Sequence, residues 1–161
     1  MKVAGVLVAA TLAGCGAEPQ LLTFDRYLAQ CDAIKGKAVR VAGYIGTCAG
    51  YDCLLFADRA HAQAFGKYIS AIRDLAREDG RSREEKRAAI DKLKPQIPIG
   101  IGQTDDFDRK AEPFQNNYVV ISGTVDRDNC TGEGGTDRSF GVLPTDIRAW
   151  TSSEGAPAKT L

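Results

Sequence analysis

Apolar and polar positions alternate along this chain in several distinct rhythms. Nearest the start, Val3 to Thr11 is almost wholly apolar, with Lys2 the only charge before it. Such a run is too short to cross a bilayer as a permanent helix and has the shape of an export signal. From Thr23, an N-cap residue type, Phe24, Tyr27, Leu28, Cys31 and Ile34 recur at helical spacing until Gly36. The rhythm then changes to period two. Val39, Val41, Gly43 and Ile45 share one face of a predicted strand, and Val119 to Val125 repeats the pattern with Gly123 in the corresponding place. A glycine inside a strand marks a bend, a bulge or a close backbone approach.

Leu54 to Ala57 reads as a returning strand. Asp58 can cap a long helix whose Phe65, Tyr68, Ile69, Ile72, Leu75 and Ala76 form one stripe, with Gly80 as its stop. Ser82-Arg83-Glu84-Glu85 fits a capping box that opens a second helix through Ala89, Ile90 and Leu93, ended by Pro95. A helical hairpin over 58–94 therefore separates the strands. Ile97 to Ile101 is a poor strand with a proline inside it, suited to a sheet edge. Gln103 to Asn117 and Asp128 to Thr136 read as polar surface loops, and Ile147 to Thr151, beside Trp150, as the closing strand. The last ten residues, 152–161, read as a disordered tail.

Two resemblances follow. Leu12-Ala13-Gly14-Cys15, directly after the apolar run, resembles the lipobox of bacterial lipoproteins. That resemblance implies a signal peptide over 1–14, a lipid on Cys15, a tether over 15–21, and a folded part on the far side of the inner membrane, facing the periplasm. Gly16 lacks the aspartate that resembles an inner-membrane retention signal, which points to the outer membrane. The second resemblance rests on Gly43 and Gly123 in their strands, on the short helix before Lys37 to Ile45, and on the return at Leu54. These resemble an OB-fold, in the tRNA-anticodon-binding-like version. The expectation is an α+β, mainly β domain over 22–151: a five-stranded barrel with an N-terminal helix and the inserted hairpin. A generic sandwich or other α+β domain fits the same strands. The hairpin is either the helix that precedes the fourth OB strand, enlarged, or an insertion after two strands.

Charge narrows the partners. The 21 basic residues fall to 20 once Lys2 leaves with the signal, against 21 acidic ones, a mature net charge of −1. Nonspecific nucleic-acid binding needs a positive field, so nucleic acid is not the expected ligand. With Cys15 committed to lipid, Cys31, Cys48, Cys53 and Cys130 form an even set in an exported chain, which reads as disulfides. Three connectivities exist, and Cys48–Cys53 with Cys31–Cys130 is the favoured one. The alternative, a zinc site from Cys48, Cys53 and His61, lacks a fourth ligand.

Candidate chemistry is sparse. His61 is the only histidine, and no nucleophile elbow, phosphate loop or zinc-protease motif accompanies it. An enzyme centred on His61 is the lesser reading, and a partly exposed surface residue the ordinary one. Asp105, Asp106 and Asp108, or Asp126 and Asp128, offer weak calcium sets that read better as solvated acidic loops. Tyr44, Tyr51 and Phe56 lie where an OB-fold stacks its ligand, although packing in the core or the turn is the ordinary reading of such residues. Arg40 and Tyr118 point outward. The expectation is a non-enzymatic binding or structural module for an envelope protein or cell-wall partner, without catalytic residues, metal or cofactor. Its alternative is an OB-fold binder of a small ligand, oligonucleotide or oligosaccharide.

Overall fold

The computed structural model describes residues 18–48, 53–78, 80–102, 104–132 and 140–154. Residues 1–17, which hold the stretch read as a signal, Cys15 and the first part of the tether, and Tyr51 lie outside the described residues. Six strands form one sheet: β1 (Leu21–Thr23), β2 (Ala38–Ile45), β3 (Leu54–Phe56), β4 (Ile99–Gly100), β5 (Asn117–Val125) and β6 (Val142–Ala149). Their order is β4-β3-β2-β5-β6, antiparallel throughout, with β1 parallel to β2. The sheet is open: its edge strands β4 and β6 approach each other at an isolated parallel bridge, Ile101 to Val142. Five helices accompany it: α1 (Phe24–Ala29), α2 (Cys31–Ile34), α3 (Arg59–Arg77), α4 (Arg83–Leu93) and α5 (Asp105–Ala111).

The two glycine-bearing strands pair with each other along their length, Val39 opposite Gly123 and Gly43 opposite Val119. Both glycines sit where backbone crosses closely. A Cβ on Gly43 would lie 2.6 Å from the Phe56 carbonyl oxygen, and one on Gly123 would run into the Leu143 carbonyl, 2.8 Å from Val142 Cγ1. Gly123 also marks a register shift against β6, where the strand bends. The inward face carries Val39, Val41, Ile45, Val119, Ile121 and Val125, all buried. Phe24 and Tyr27 of α1 close one end of this core, and Phe107 with Ala111 of α5 join it.

Several boundaries differ from the sequence reading. The first helix is two turns broken at Gln30: Thr23 Oγ1 accepts from the Arg26 N–H at 3.4 Å to cap the first, and Gly36 at φ +72° ends the second. Leu21, taken as tether, already belongs to a strand. Asp105–Ala111, read as loop, is a helix, because the Thr104 hydroxyl caps it through the Phe107 N–H at 3.1 Å and three aspartates occupy its positive end. With one apolar pair four residues apart, it shows too little periodicity to announce itself. β6 starts at Val142, five residues earlier than expected, since Pro144 is accommodated at the bulge facing Gly123. Ser152–Glu154, assigned to a disordered tail, form a short 3-10 turn. Helix accounts for 43% of the described residues and strand for 27%, so the domain is α+β but not mainly β. The excess comes from α3 and α4, which interrupt the sheet after β3.

That hairpin is built as its caps predict. Asp58 accepts from the His61 N–H at 2.7 Å, and Ser82 with Glu85 forms a reciprocal capping box. Yet neither helix contributes a buried residue. Two disulfides staple the rest. Cys31–Cys130 joins α2 to the loop after β5, with Cα atoms 5.6 Å apart across 99 residues, and Cys48–Cys53 spans the β2–β3 connection with Cα atoms 4.1 Å apart. Beside the first bridge, the buried Tyr27 hydroxyl donates to the carbonyl oxygens of Cys130 at 2.6 Å and Gly141 at 3.2 Å. Burial pushes this phenol far up from its ordinary pKa, so it stays protonated and keeps donating.

Candidate functional site

Where β2 ends and α3 leaves β3, the sheet and the helix diverge around an open cleft of about 490 Å³. Tyr44, Gly46, Phe56, Arg59, Phe65 and Asn116 contribute to its wall. Tyr44 meets Tyr118 edge to face at 5.4 Å, and Phe56 meets Phe65 at 5.7 Å, so the rings pack mainly on one another. Tyr44 and Phe56 are 7% and 5% exposed, which leaves their margins, not their faces, to line the cleft. Gly66 opens the helix side, since a Cβ there would meet nothing within 4 Å. The structure thus brings together two of the three residues expected on a ligand face. Arg59 is the one charged side chain among the described residues lining the cleft, so it lacks the cationic track of a nucleic-acid groove.

His61 is partly exposed, as the ordinary reading has it, and both of its ring nitrogens are engaged. Its Nδ1 accepts from the Ala57 N–H at 3.2 Å, which leaves Nε2 to donate to the Gln96 carbonyl oxygen at 2.7 Å. Phe24 and Phe56 flank it edge-on at 5.5 and 5.3 Å. Both nitrogens are therefore taken by backbone, and the ring fastens the start of α3 to α1, β3 and the segment that leaves α4. No sequence periodicity signals this, because the two bonded partners are main-chain atoms of connecting segments, at Ala57 and Gln96. A second cavity, about 310 Å³, lies beyond it among Phe65, Tyr68, Ile97 and Gly132.

The zinc reading fails on the same geometry: Cys48 and Cys53 are bonded to each other, and His61 has no free nitrogen. Two of the aspartates are engaged within their own segments. Asp106 pairs with Arg109 within α5. The Asp126 carboxylate accepts from the N–H groups of Asn129 at 2.9 Å and Asp128 at 2.8 Å, contacts that hold its pKa below the usual range. Among the described residues, no three His, Cys, Asp or Glu side chains converge to hold a metal ion.

The other polar concentration was not foreseen. Arg40, expected to be simply exposed, has a side chain only 17% exposed, 2.8 Å from Glu18 and 3.7 Å from Glu154. Glu154 also takes both guanidinium nitrogens of Arg148 and the Thr151 N–H at 3.0 Å. Arg148 and Thr151 together hold the Glu154 pKa down at about 2. This node brings Glu18, within the stretch read as tether, and the turn after β6 to the same arginine. Glu18 and Glu154 lie outside every periodic segment, so the sequence offers no signal for it. No family model, curated protein or solved structure matches this chain.

Proposed function

We propose that this chain is a lipid-anchored envelope lipoprotein, held to a membrane through Cys15, whose OB-like domain is a non-enzymatic binding module in the periplasm for a protein or cell-wall partner. The observation that carries the reading is the Leu12 to Cys15 sequence in a chain whose described cysteines are all paired. Paired cysteines suit an oxidising compartment beyond the inner membrane. Support for an OB-like barrel comes from strand order. Leaving β1 aside, the pairs β2–β3, β3–β4, β2–β5 and β5–β6 trace a Greek key, and α5 falls before the fourth of these strands. The last side is approached at the Ile101 bridge, where the Gly102 N–H donates to the Val142 carbonyl at 2.8 Å and the Gly141 N–H to that of Gly100 at 2.7 Å. On this reading α5 is the OB helix, and the hairpin is an insertion after two strands.

The test is Cys15→Ser in the native host. The wild type is expected in the membrane fraction as a processed chain, and the variant as unprocessed precursor. Identical processing and fractionation of the two would refute the anchor. A second reading, favoured by the cleft at Tyr44 and Phe56, is a small, weakly charged ligand seated against α3. Titration with short oligosaccharides and oligonucleotides should then shift amide signals of Thr47, Arg59 and Asn116 together; scattered or unmoved signals would dismiss it.

A further inference from the structure

We propose that the node of Glu18, Arg40, Arg148 and Glu154 is the surface by which the domain rests against lipid head groups, with the α3–α4 hairpin presented away from the bilayer. The proposal rests on Cys15 carrying the lipid. Glu18 follows Cys15 by three residue steps, a span of at most about 11 Å even fully extended. The free chain is short because β1 starts three residues after Glu18, whose exposed carboxylate lies 2.8 Å from Arg40. Glu154 grips the same Arg40 together with Arg148, which lays the 152–154 turn over the same patch. The anchor therefore reaches the domain at one fixed place on the outer side of β2, and the lipid surface is within a few residues of it.

The register shows which end lies farthest away. From Arg40, β2 advances five residues to Ile45, roughly 16 Å. α3 runs in the same sense: His61 sits beside Phe24 and Phe56, level with Ala42 and Tyr44, while Tyr68 lies by Leu54 and Gly100, past the end of β2. Nine more residues to Arg77 add about 14 Å, which places the hairpin tip roughly 30 Å from Glu18 along this direction. The node itself contains two arginines and two glutamates, so its charges cancel. Seating then comes from the short tether, not from attraction to anionic lipid.

The test uses the mature lipidated protein in phosphatidylcholine vesicles carrying a nitroxide on a fraction of the head groups. Trp150 is the only tryptophan, so a Trp150→Phe background accepts single reporters at Gln20 and at Glu84, both exposed. Given the separation above, Gln20→Trp emission is expected to be quenched at least about threefold more than that of Glu84→Trp. Equal quenching, or stronger quenching at Glu84→Trp, overturns the proposal. If Trp150→Phe does not fold, the native Trp150 and a Trp150-retaining Glu84→Trp protein, compared for added quenching, give the same decision. Inserting about ten Gly and Ser residues after Gly16 should reduce quenching at position 20 to the level of position 84, since the added chain lets the domain move off the surface. Quenching that survives the insertion removes the tether as the cause. The intact mass separates the two ideas: a mature chain without lipid fails the anchor reading and this one with it, whereas lipidated protein with equal quenching fails this one alone.

Discussion

Replacing Cys31 and Cys130 together by alanine probes the covalent frame most sharply, because the two bridges predict very different costs. Cys31–Cys130 closes 99 residues and Cys48–Cys53 closes five. In the chain-entropy treatment the first constrains the unfolded chain by about 4.7 kcal/mol and the second by about 2 kcal/mol at 25 °C. The long bridge also fixes the loop whose Cys130 carbonyl receives the Tyr27 hydroxyl, so its removal frees a buried contact as well. A domain of this size has roughly 5 to 15 kcal/mol in all, so the loss leaves it marginal. Urea titration of the purified protein reads the difference. With a slope of about 2 kcal/mol per molar, the midpoint should fall by roughly 2 M for the 31/130 pair and by roughly 1 M for the 48/53 pair. A larger loss from the short loop, or a loss below about 1 kcal/mol from the long one, would refute the reasoning.

Other consequences can be checked on the same protein. Gly123→Ala forces a methyl into the β6 backbone and should cost about 1 to 3 kcal/mol, whereas Gly66→Ala, in open space on α3, should stabilise by roughly 0.5 to 1 kcal/mol; equal shifts in thermal midpoint would contradict the packing at the two sites. Tyr27→Phe strips the Cys130 carbonyl of its donor and should cost about 1 to 2 kcal/mol by urea titration, with no loss pointing to a hydroxyl that is not buried there. Glu154 titrates at about 2 when folded against 4.5 unperturbed, so it favours the folded state above 4.5 and loses that contribution as pH falls from about 4.5 to about 2. Its carboxyl carbon shift should follow the low midpoint, and Arg148→Gln should move it upward; an unmoved midpoint would remove Arg148 as the cause.

The parts legible in the sequence are those written as local repetition. Period two marked β2 and β5, and their glycines marked the close crossings at Phe56 and Leu143. Cap residues placed the starts of α3 and α4. Elements held by few residues were not legible: α5 has one apolar pair, and β1 is three residues whose strand pairing is with a segment far along the chain. The candidate site divides the same way. Tyr44 and Phe56 sit on patterned strands and so could be placed near each other, whereas the cleft they share also needs Phe65, reached only when α3 folds back. The Arg40 node and the His61 clamp depend on Glu18, Glu154, Ala57 and Gln96, which no pattern connects.

The account depends most on the N-terminal cysteine, and mass spectrometry of the mature protein's first peptide addresses it directly. Extracted from native membranes and digested, the chain should yield a peptide beginning at Cys15 that carries the added mass of a thioether-linked diacylglycerol. A peptide that begins elsewhere, or a Cys15 thiol that is free, would contradict the anchor and the orientation argued from it.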